Sequence, residues 1–599
     1  LVAHNSAYDF RFILKYLNGL ETIEKGTGLM NAKAVFYHGN KVLGIQVRDS
    51  LKMINMPLSK FGKSFNLKVK KEIMPYDLYS EENVDKVWVD INECLQFIKP
   101  SDKKEYLDNC DRWDCIDREN QKINILTYAG EYCYMDCITL EQGYYTFKKL
   151  VEEAIDTDMT KYISLASMAH DYLVRTGCYE GVLQLAGVVR AFIQKCLVGG
   201  RTMCRNNKKA KYNNVEDDDF DAVSLYPSAM ARMDGFLKGK PKIITNFEEI
   251  KNTADGYFIC IKIKKIGKNQ SFPLASIVDQ KSGVRNFTND LEDKFIYIDK
   301  VALEDLVEFQ KVEYEFINGY YYNEGFNNKV NEVITHLFEQ RLKYKKEKNP
   351  VQLIFKEIMN SSYGKSALKP IDSDVEYVPF DSFNAFVDRN FNYIKEATLL
   401  ANGKYYKVKT MKTIDCHYNN VHIGVSILSW SKRIMNEVMC LAEDNNLLIK
   451  YQDTDSMHIP SKDVVVLGKK FKEKYKRELI GDQMGQFHTD FDMDGSAGDI
   501  KAIDSIFLSK KNYCDKLKSV DEEGNDITDY HIRMKGIPED CIKYKANQEY
   551  GGDLMALYND LYEGKTLEFD LLAVKPKFQM CKNMTIISRT TFKRKVCIK

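Results

Sequence analysis

No apolar run in the chain approaches the roughly 18 residues that a membrane-spanning helix needs, and no stretch has the basic, apolar and small-residue order of a secretory signal. A helical membrane protein is therefore excluded, and nothing points to export. The 15 cysteines include no CxxC pair and form no compact, evenly spaced framework. Such scatter suits a reduced intracellular compartment, with host cytoplasm, nucleus and mitochondrion all open, better than a disulfide-stapled fold. Cys110, Cys115, Cys133 and Cys137 come nearest to metal spacing but lack the paired pattern of a zinc site. Excess charge of one sign is missing too: 87 basic residues against 86 acidic ones leave a net +1, so overall charge announces no polyanionic partner. Local charge says more, because Arg341 to Lys348 and the tail 589–599 are basic strips of the kind that follow a phosphate backbone.

At 599 residues, with 44% hydrophobic and 29% charged, the chain is globular and long enough for several domains. Its organising stretch is Leu447 to Ile459, two short apolar runs that meet at Asp453-Thr454-Asp455. Period-2 alternation along a hairpin places Asp453 and Asp455 on one face, while Leu448, Met457 and Ile459 pack into a sheet. Two carboxylates at a rigid tip suit Mg²⁺, which takes few protein carboxylates and leaves places for substrate phosphates. A third acid is expected elsewhere. Asp221 supplies it, closing an apolar and acidic strand just before the turn Ala222-Val223-Ser224-Leu225-Tyr226-Pro227-Ser228.

The pattern DxxSLYPS, followed by Lys356-Glu357-Ile358-Met359-Asn360-Ser361-Ser362-Tyr363-Gly364 and then by YxDTDS, resembles motifs A, B and C of the family B DNA polymerases in their order. The resemblance is to the protein-primed branch found in phages, adenoviruses, linear plasmids and self-synthesising transposons. It implies a multidomain α/β and α+β fold: an RNase H-like exonuclease domain followed by a right-hand palm, fingers and thumb. Val2-Ala3-His4-Asn5-Ser6-Ala7-Tyr8-Asp9 resembles the second exonuclease motif, and Tyr132-Cys133-Tyr134-Met135-Asp136 the third. Helical i, i+4 spacing points Tyr132 and Asp136 the same way, so a phenol could orient a water near a metal on Asp136. By resemblance, Asn5, Asp9, Tyr132 and Asp136 are exonuclease residues, Asp9 and Asp136 are metal ligands, and His4, Tyr8, Ser50 and Leu51 hold a single-stranded 3′ end. The family's first exonuclease motif, DxE, does not occur ahead of these. The chain is thus expected to be a fragment with a truncated, incomplete exonuclease site.

The boundaries that follow are 1–150 for the exonuclease-like domain, 151–230 for a linker and the start of the palm, and 231–326 for a strand-rich insertion resembling the region that contacts a terminal, priming protein. Fingers follow at 327–365, a second small insertion at 366–420, palm at 421–520 and thumb at 521–599. Gly199, Gly200 and Arg201 resemble the family's YxGG motif with Leu197 in place of its tyrosine, and are expected to touch the template; an ordinary Gly-Gly turn remains the alternative. Lys511 and Tyr513 resemble a KxY motif that holds the primer. In the fingers, Asn349-Pro350 is a helix start, and Lys356, Asn360 and Tyr363 share a face at i, i+4 and i+7. Arg341 and Lys345 form a second basic row.

The implied chemistry is nucleotidyl transfer from dNTPs to a primer hydroxyl on a DNA template. Two Mg²⁺ ions, with Mn²⁺ able to substitute, would sit on Asp221 and Asp455 with Asp453 close by. Lys356 would neutralise phosphate charge. Ser224, Leu225, Tyr226, Asn360, Tyr363, Arg341 and Lys345 would bind the dNTP, the Tyr226 ring colliding with a ribose 2′-hydroxyl. Expected partners are primer-template DNA, dNTPs and a terminal protein, with no membrane and a monomeric chain. A family B enzyme using nucleic-acid primers, and a silent fragment that only binds DNA or terminal protein, stand as alternatives.

Overall fold

A long, nearly all-round apolar helix, Val421–Asp444, is the pillar of the second half of the chain. The sequence explains why it is buried: Val421, Ile423, Val425, Ile427, Leu428, Ile434, Met435, Val438 and Met439 leave no polar face wide enough to meet solvent. It packs on the short helix Leu225–Arg232 and on Lys300–Gln310. The computed structural model describes residues 1–25, 28–367, 373–401, 403–412, 420–574, 577–581, 583, 585–589 and 591–598. Lys599 of the basic tail, and parts of the expected second insertion at 366–420, lie outside them. Among the described residues no helix is long and apolar enough to cross a membrane.

Two compact units emerge, each with its own core. The first gathers residues 1–168, 339–358 and 373–411. Its seven-stranded sheet runs in the order Val2–Ala3, Lys41–Asp49, Gly28–His38, Asn18–Lys25, Ser373–Pro379, Tyr405–Met411, Ile394–Leu399. Val2–Ala3 pairs parallel with Lys41–Asp49, so residues far apart in sequence meet at the sheet's end. The strands after residue 372 extend this same sheet through Glu376 opposite Glu21. The 31-residue helix Ile125–Ile155 begins where the Asn124 side chain caps the Thr127 N–H, at 3.0 Å.

The second unit gathers residues 169–338, 359–372 and 412–599. Its main sheet is antiparallel along the path Asp526–Met534, Asn512–Val520, Lys501–Ser509, Ala210–Ala222, Ser456–Pro460, Tyr451–Asp453, Thr202–Cys204, with Phe487–Thr489 also paired to Ala210–Ala222. Asp526–Met534 is an edge strand of this sheet; helix Glu539–Glu549 packs against it, and helix Leu554–Tyr562 packs on Lys501–Ser509 and Asn512–Val520, with Leu557, Tyr558 and Leu561 in the shared core. Residues 242–322 form a separate four-stranded antiparallel sheet around Tyr257, Ile259, Ile261, Ile296 and Leu306.

Candidate active site

Strand Ala210–Ala222 runs through the centre of the sheet and carries four aspartates near its end, Asp217, Asp218, Asp219 and Asp221. Three of them have basic neighbours. Asp217 pairs with Lys450, both fully buried, and the Lys450 ammonium also lies 4.3 Å over the Tyr212 ring. Asp218 meets Lys501 at 2.5 Å, and Asp219 lies 3.8 Å from the His458 imidazole. Asp221 faces further acids with no basic group to set against them among the described residues. It pairs with Ser456 on one side and with His488 on the other. The Ala222 N–H donates to the Asp455 carbonyl at 2.9 Å, which fixes Asp221 against the hairpin tip.

At that tip the expectation of two acids on one strand face fails. Thr454 adopts a left-handed conformation with φ 63°, so Asp453 ends one strand, Asp455 lies in the turn, and Ser456 begins the next. The turn is held from below: the Thr454 N–H donates to the Arg201 carbonyl at 2.9 Å. The consequence is a division of labour. Asp453 Oδ1 accepts from Thr202 Oγ1 at 3.0 Å and meets Lys511 Nζ at 3.1 Å, whereas Asp455 stays beside Asp221. Burial first, then the charges of Asp455, Asp490 and Asp219, push the Asp221 carboxyl up to about 8. Asp455 is likewise raised, by burial and then by Asp453 and Asp219. Asp490, whose N–H donates to the Asp219 carbonyl at 2.9 Å, was invisible as part of this group in the sequence.

Among the described residues no three acidic, His or Cys side chains converge as a ready-made metal cage. A floor of two carboxylates, Asp221 and Asp455, with Lys511 held on the neighbouring Asp453, is nevertheless a fit for Mg²⁺, which completes its shell with water and substrate phosphates. A divalent ion would relieve the repulsion that raises Asp221.

Next to this floor, Ser224 with φ 50° starts the helix Leu225–Arg232. Leu225 is buried, so it can offer a substrate only its backbone N–H and not its side chain. Tyr226 stacks on Tyr363, ring centres 4.2 Å apart and planes 21° from parallel. Asn360 is exposed.

Two residues expected to touch DNA, Arg201 and Tyr513, are buried, and a third, Gly200, has a part in the hairpin turn. The Arg201 guanidinium is 3% exposed, with donors spent on Gln452 Oε1 at 2.5 Å, on the Phe272 and Pro273 carbonyls at 3.0 Å each, and on Met439 Sδ. It braces the residue next to Asp453 and cannot reach a phosphate. A Cβ on Gly200 would lie 2.5 Å from Thr454 Cγ2, so this glycine is needed for the hairpin turn to approach. Tyr513 is buried among Tyr451, His458 and His531, with ring centres 5.0 to 5.5 Å away. Gly199 and the Lys511 ammonium remain exposed. Lys511 sits in a left-handed turn, and its N–H donates to Tyr451 Oη at 2.8 Å.

The first unit holds the other groups. Arg341 and Lys345 lie on helix Lys329–Lys346, and Lys356 on Val351–Ser361, whose first N–H is capped by Asn349 Oδ1 at 2.9 Å. Tyr344 stacks on Phe355 between these helices, centres 5.7 Å apart. Arg341 is half-buried beside Glu357, while Lys345 is exposed.

In the exonuclease-like part, His4 bridges Ser50 Oγ at 3.0 Å and the Met56 carbonyl at 2.9 Å. Ser50 is buried and donates to the Ala3 carbonyl, so it positions His4 and is not itself open to a DNA strand. Leu51 is partly exposed, and its N–H is capped by Asp49. Asn5, at φ 72°, donates its N–H to Asp49 at 2.9 Å, and Tyr8 packs edge-on to Phe12. Asp9 is raised by burial and by Asp49. Tyr132 shares a hydrogen bond with Tyr76 at 2.9 Å, and Asp136 is paired with Lys71 at 2.7 Å. Lys71, Tyr76 and Asp49 belong to this group but stand in no pattern that singles them out in the sequence.

The family model for DNA polymerase type B, organellar and viral, matches residues 1–444. A DNA polymerase of Kluyveromyces lactis is 23% identical over 559 residues, covering 90% of this chain and 53% of its own length. A probable DNA polymerase of Ascobolus immersus is 25% identical over 469 residues, covering 76% and 37%. The chain thus spans about half or less of these relatives. Among solved structures, phi29 DNA polymerase complexed with primer-template DNA superposes with TM-score 0.65 at 16% identity, over 100% of this chain and 91% of that one. Its complex with primer-template DNA and incoming nucleotide gives 0.64 at 17%, with the same coverage. The exonuclease, palm, fingers and thumb architecture is therefore the fold of this chain, which belongs to the type B DNA polymerases of the organellar and viral kind.

Proposed function

We propose that the chain is a template-directed DNA polymerase that extends a primer 3′-hydroxyl with dNTPs, within a protein-primed replication system. The observation that carries this is the setting of Asp221: on a strand whose other aspartates have basic neighbours, it faces Asp455, Asp490 and Asp219, and among the described residues no basic group offsets its charge. Two Mg²⁺ held by Asp221 and Asp455 would supply charge stabilisation to the attacking and leaving oxygens. The protein groups do the rest. The backbone N–H groups at the start of helix Leu225–Arg232 face negative charge favourably and would orient the triphosphate. Lys356, with Arg341 and Lys345, would neutralise phosphate charge, and Asn360 and Tyr363 would line the nascent pair. The stacked Tyr226 ring is a rigid wall against a ribose 2′-hydroxyl. Lys511, anchored on Asp453, would present its ammonium to the primer phosphates. Asp9, Tyr132 and Asp136 would be the remainder of a 3′–5′ exonuclease site that is incomplete without the DxE pair. Protein priming is supported by the separately cored segment 242–322, which matches in place the insertion expected to contact a terminal protein.

The test is extension of a labelled primer-template by the chain and by Asp455→Asn. Loss of extension in the variant, with its fold kept, supports the reading. Equal extension by both would sink it.

A further inference from the structure

A cavity of about 920 Å³ opens in the second unit; Asp221, Asp453 and Asp455 are not among its lining residues, though Lys432 and Asn436 also border the supports of the hairpin turn. Its roof is the hairpin of Ser276–Val278 and Arg285–Phe287, its wall the strand Phe295–Asp299, and its floor the face of helix Val421–Asp444 that carries Ser429, Lys432 and Asn436. The volume is that of a small-molecule site. Its chemistry is lopsided. Lys195, Arg285, Lys294 and Lys432 all line it. The acids that also line it are already engaged: Asp299 accepts from Ser429 Oγ at 2.7 Å, Asp305 from Arg433 and Asn436, and Asp279 from its own loop through Ser282.

Lys195, Arg285 and Lys432 are hydrogen-bonded to neutral partners: Lys195 Nζ to the Tyr297 hydroxyl at 3.4 Å and Arg285 Nη1 to the Ser276 hydroxyl at 3.2 Å. Lys432 Nζ donates to the Val198 carbonyl at 2.6 Å. It lines open space yet lies deep in the molecule, and burial lowers its ammonium to about 8, with Asp299 and Asp305 acting against this and Arg285 and Arg201 adding to it. Lys195 sits 4.7 Å over the Tyr297 ring, at the lip where Phe295 is 57% exposed. Basic groups beside aromatic faces are the chemistry of nucleotide binding: phosphate on the cations, base on the ring.

We propose that this cavity, whose lining includes none of the acids of the polymerisation centre, is a second nucleotide-binding site that takes the phosphate of a nucleotide on Arg285, Lys432 and Lys195 and its base against Tyr297. The nucleotide arrives either free or as one unit of a single strand.

The full chain is irradiated with a 5-iododeoxyuridine oligonucleotide of about eight residues, within the reach of one strand-binding surface, and the cross-linked peptide is mapped. The expected product joins the probe to the peptide holding Tyr297. Its yield falls roughly tenfold in Lys195→Gln/Arg285→Gln, as loss of two phosphate contacts requires, and is kept in Lys195→Arg/Arg285→Lys. Competition by millimolar dTMP identifies the free nucleotide as ligand, whereas competition by unlabelled strand alone identifies the strand. No product at Tyr297, or an undiminished one in the glutamine variant, overturns the proposal. Extension of a short primer-template is measured on the same samples and is expected to be unchanged in both variants. A failed polymerase reading shows there and leaves the cross-link result standing.

Discussion

Replacing Asp221 by Asn should make the metal-free protein more stable at pH 8, not less. The folded carboxyl is held up to about 8 by burial and by Asp455, Asp490 and Asp219, against about 3.9 in an unfolded chain. The folded state therefore binds the extra proton between those values. Stability from this group is complete below pH 4 and is lost as pH rises through 8. A displacement of about four units corresponds to a ceiling of about 6 kcal/mol. The carboxyl is only partly buried, and screening by water reduces the realistic penalty to about 1–3 kcal/mol. In EDTA, Asp221→Asn should melt roughly 1–4 °C above the parent at pH 8 and level with it near pH 4.5. Mg²⁺ should then reverse the order. It stabilises the parent by requiring the carboxylate, more at pH 8.5 than at pH 6.5 because binding expels the proton, and it leaves the variant unmoved. Scanning calorimetry across pH with EDTA or Mg²⁺ measures all of this. A variant that melts below the parent at pH 8 without metal, or an equal Mg²⁺ response in both proteins, would refute the account of Asp221 as a repelled ligand.

Other consequences follow from the supports around it. Gly200→Ala drives a methyl into Thr454 and should cost about 1–3 kcal/mol along with most extension; adding Thr454→Gly, which suits the left-handed turn, should restore both in melting and primer-extension assays. Arg201→Ala strands the Gln452 oxygen and two carbonyls and should destabilise by about 3–5 kcal/mol, while the salt dependence of DNA binding stays unchanged, since no phosphate contact is lost. Tyr226→Val should raise ribonucleotide incorporation relative to dNTPs by roughly tenfold to a hundredfold, read by single-nucleotide extension. Lys511→Ala frees Asp453 and should raise the primer-template KM more than it lowers the rate with saturating DNA.

What the sequence made legible was the part written in local patterns. Alternation and turn residues located the 451–460 hairpin and the strand ending at Asp221, and the Asn349-Pro350 start fixed the second fingers helix. Those signals are local because backbone hydrogen bonds and caps are satisfied within a few residues. The errors share one cause, which is that exposure is a property of packing and leaves no mark on a motif. Arg201 and Tyr513 carry residue types that bind nucleic acid, yet each is spent inside the sheet, and only the distances to Gln452, Phe272 and Tyr451 say so.

The acidic run on the central strand shows the same limit from the other side. Asp217, Asp218, Asp219 and Asp221 are one residue type on one strand, and alternation alone cannot tell which of them is chemically available. Selection among them is made by Lys450, Lys501 and His458, none adjacent in sequence, which approach three of the carboxylates. Burying a carboxylate beside other carboxylates raises the free energy of the folded state unless a cation joins it. The fold carries that penalty at Asp221 in the place where the hairpin turn, Gly200 and the Arg201 carbonyl have been brought together to hold Asp455 against it. Three separate stretches of chain thus converge on keeping two like charges close. Packing stability gives no reason for such an arrangement, and a divalent cation bridging to phosphate gives one.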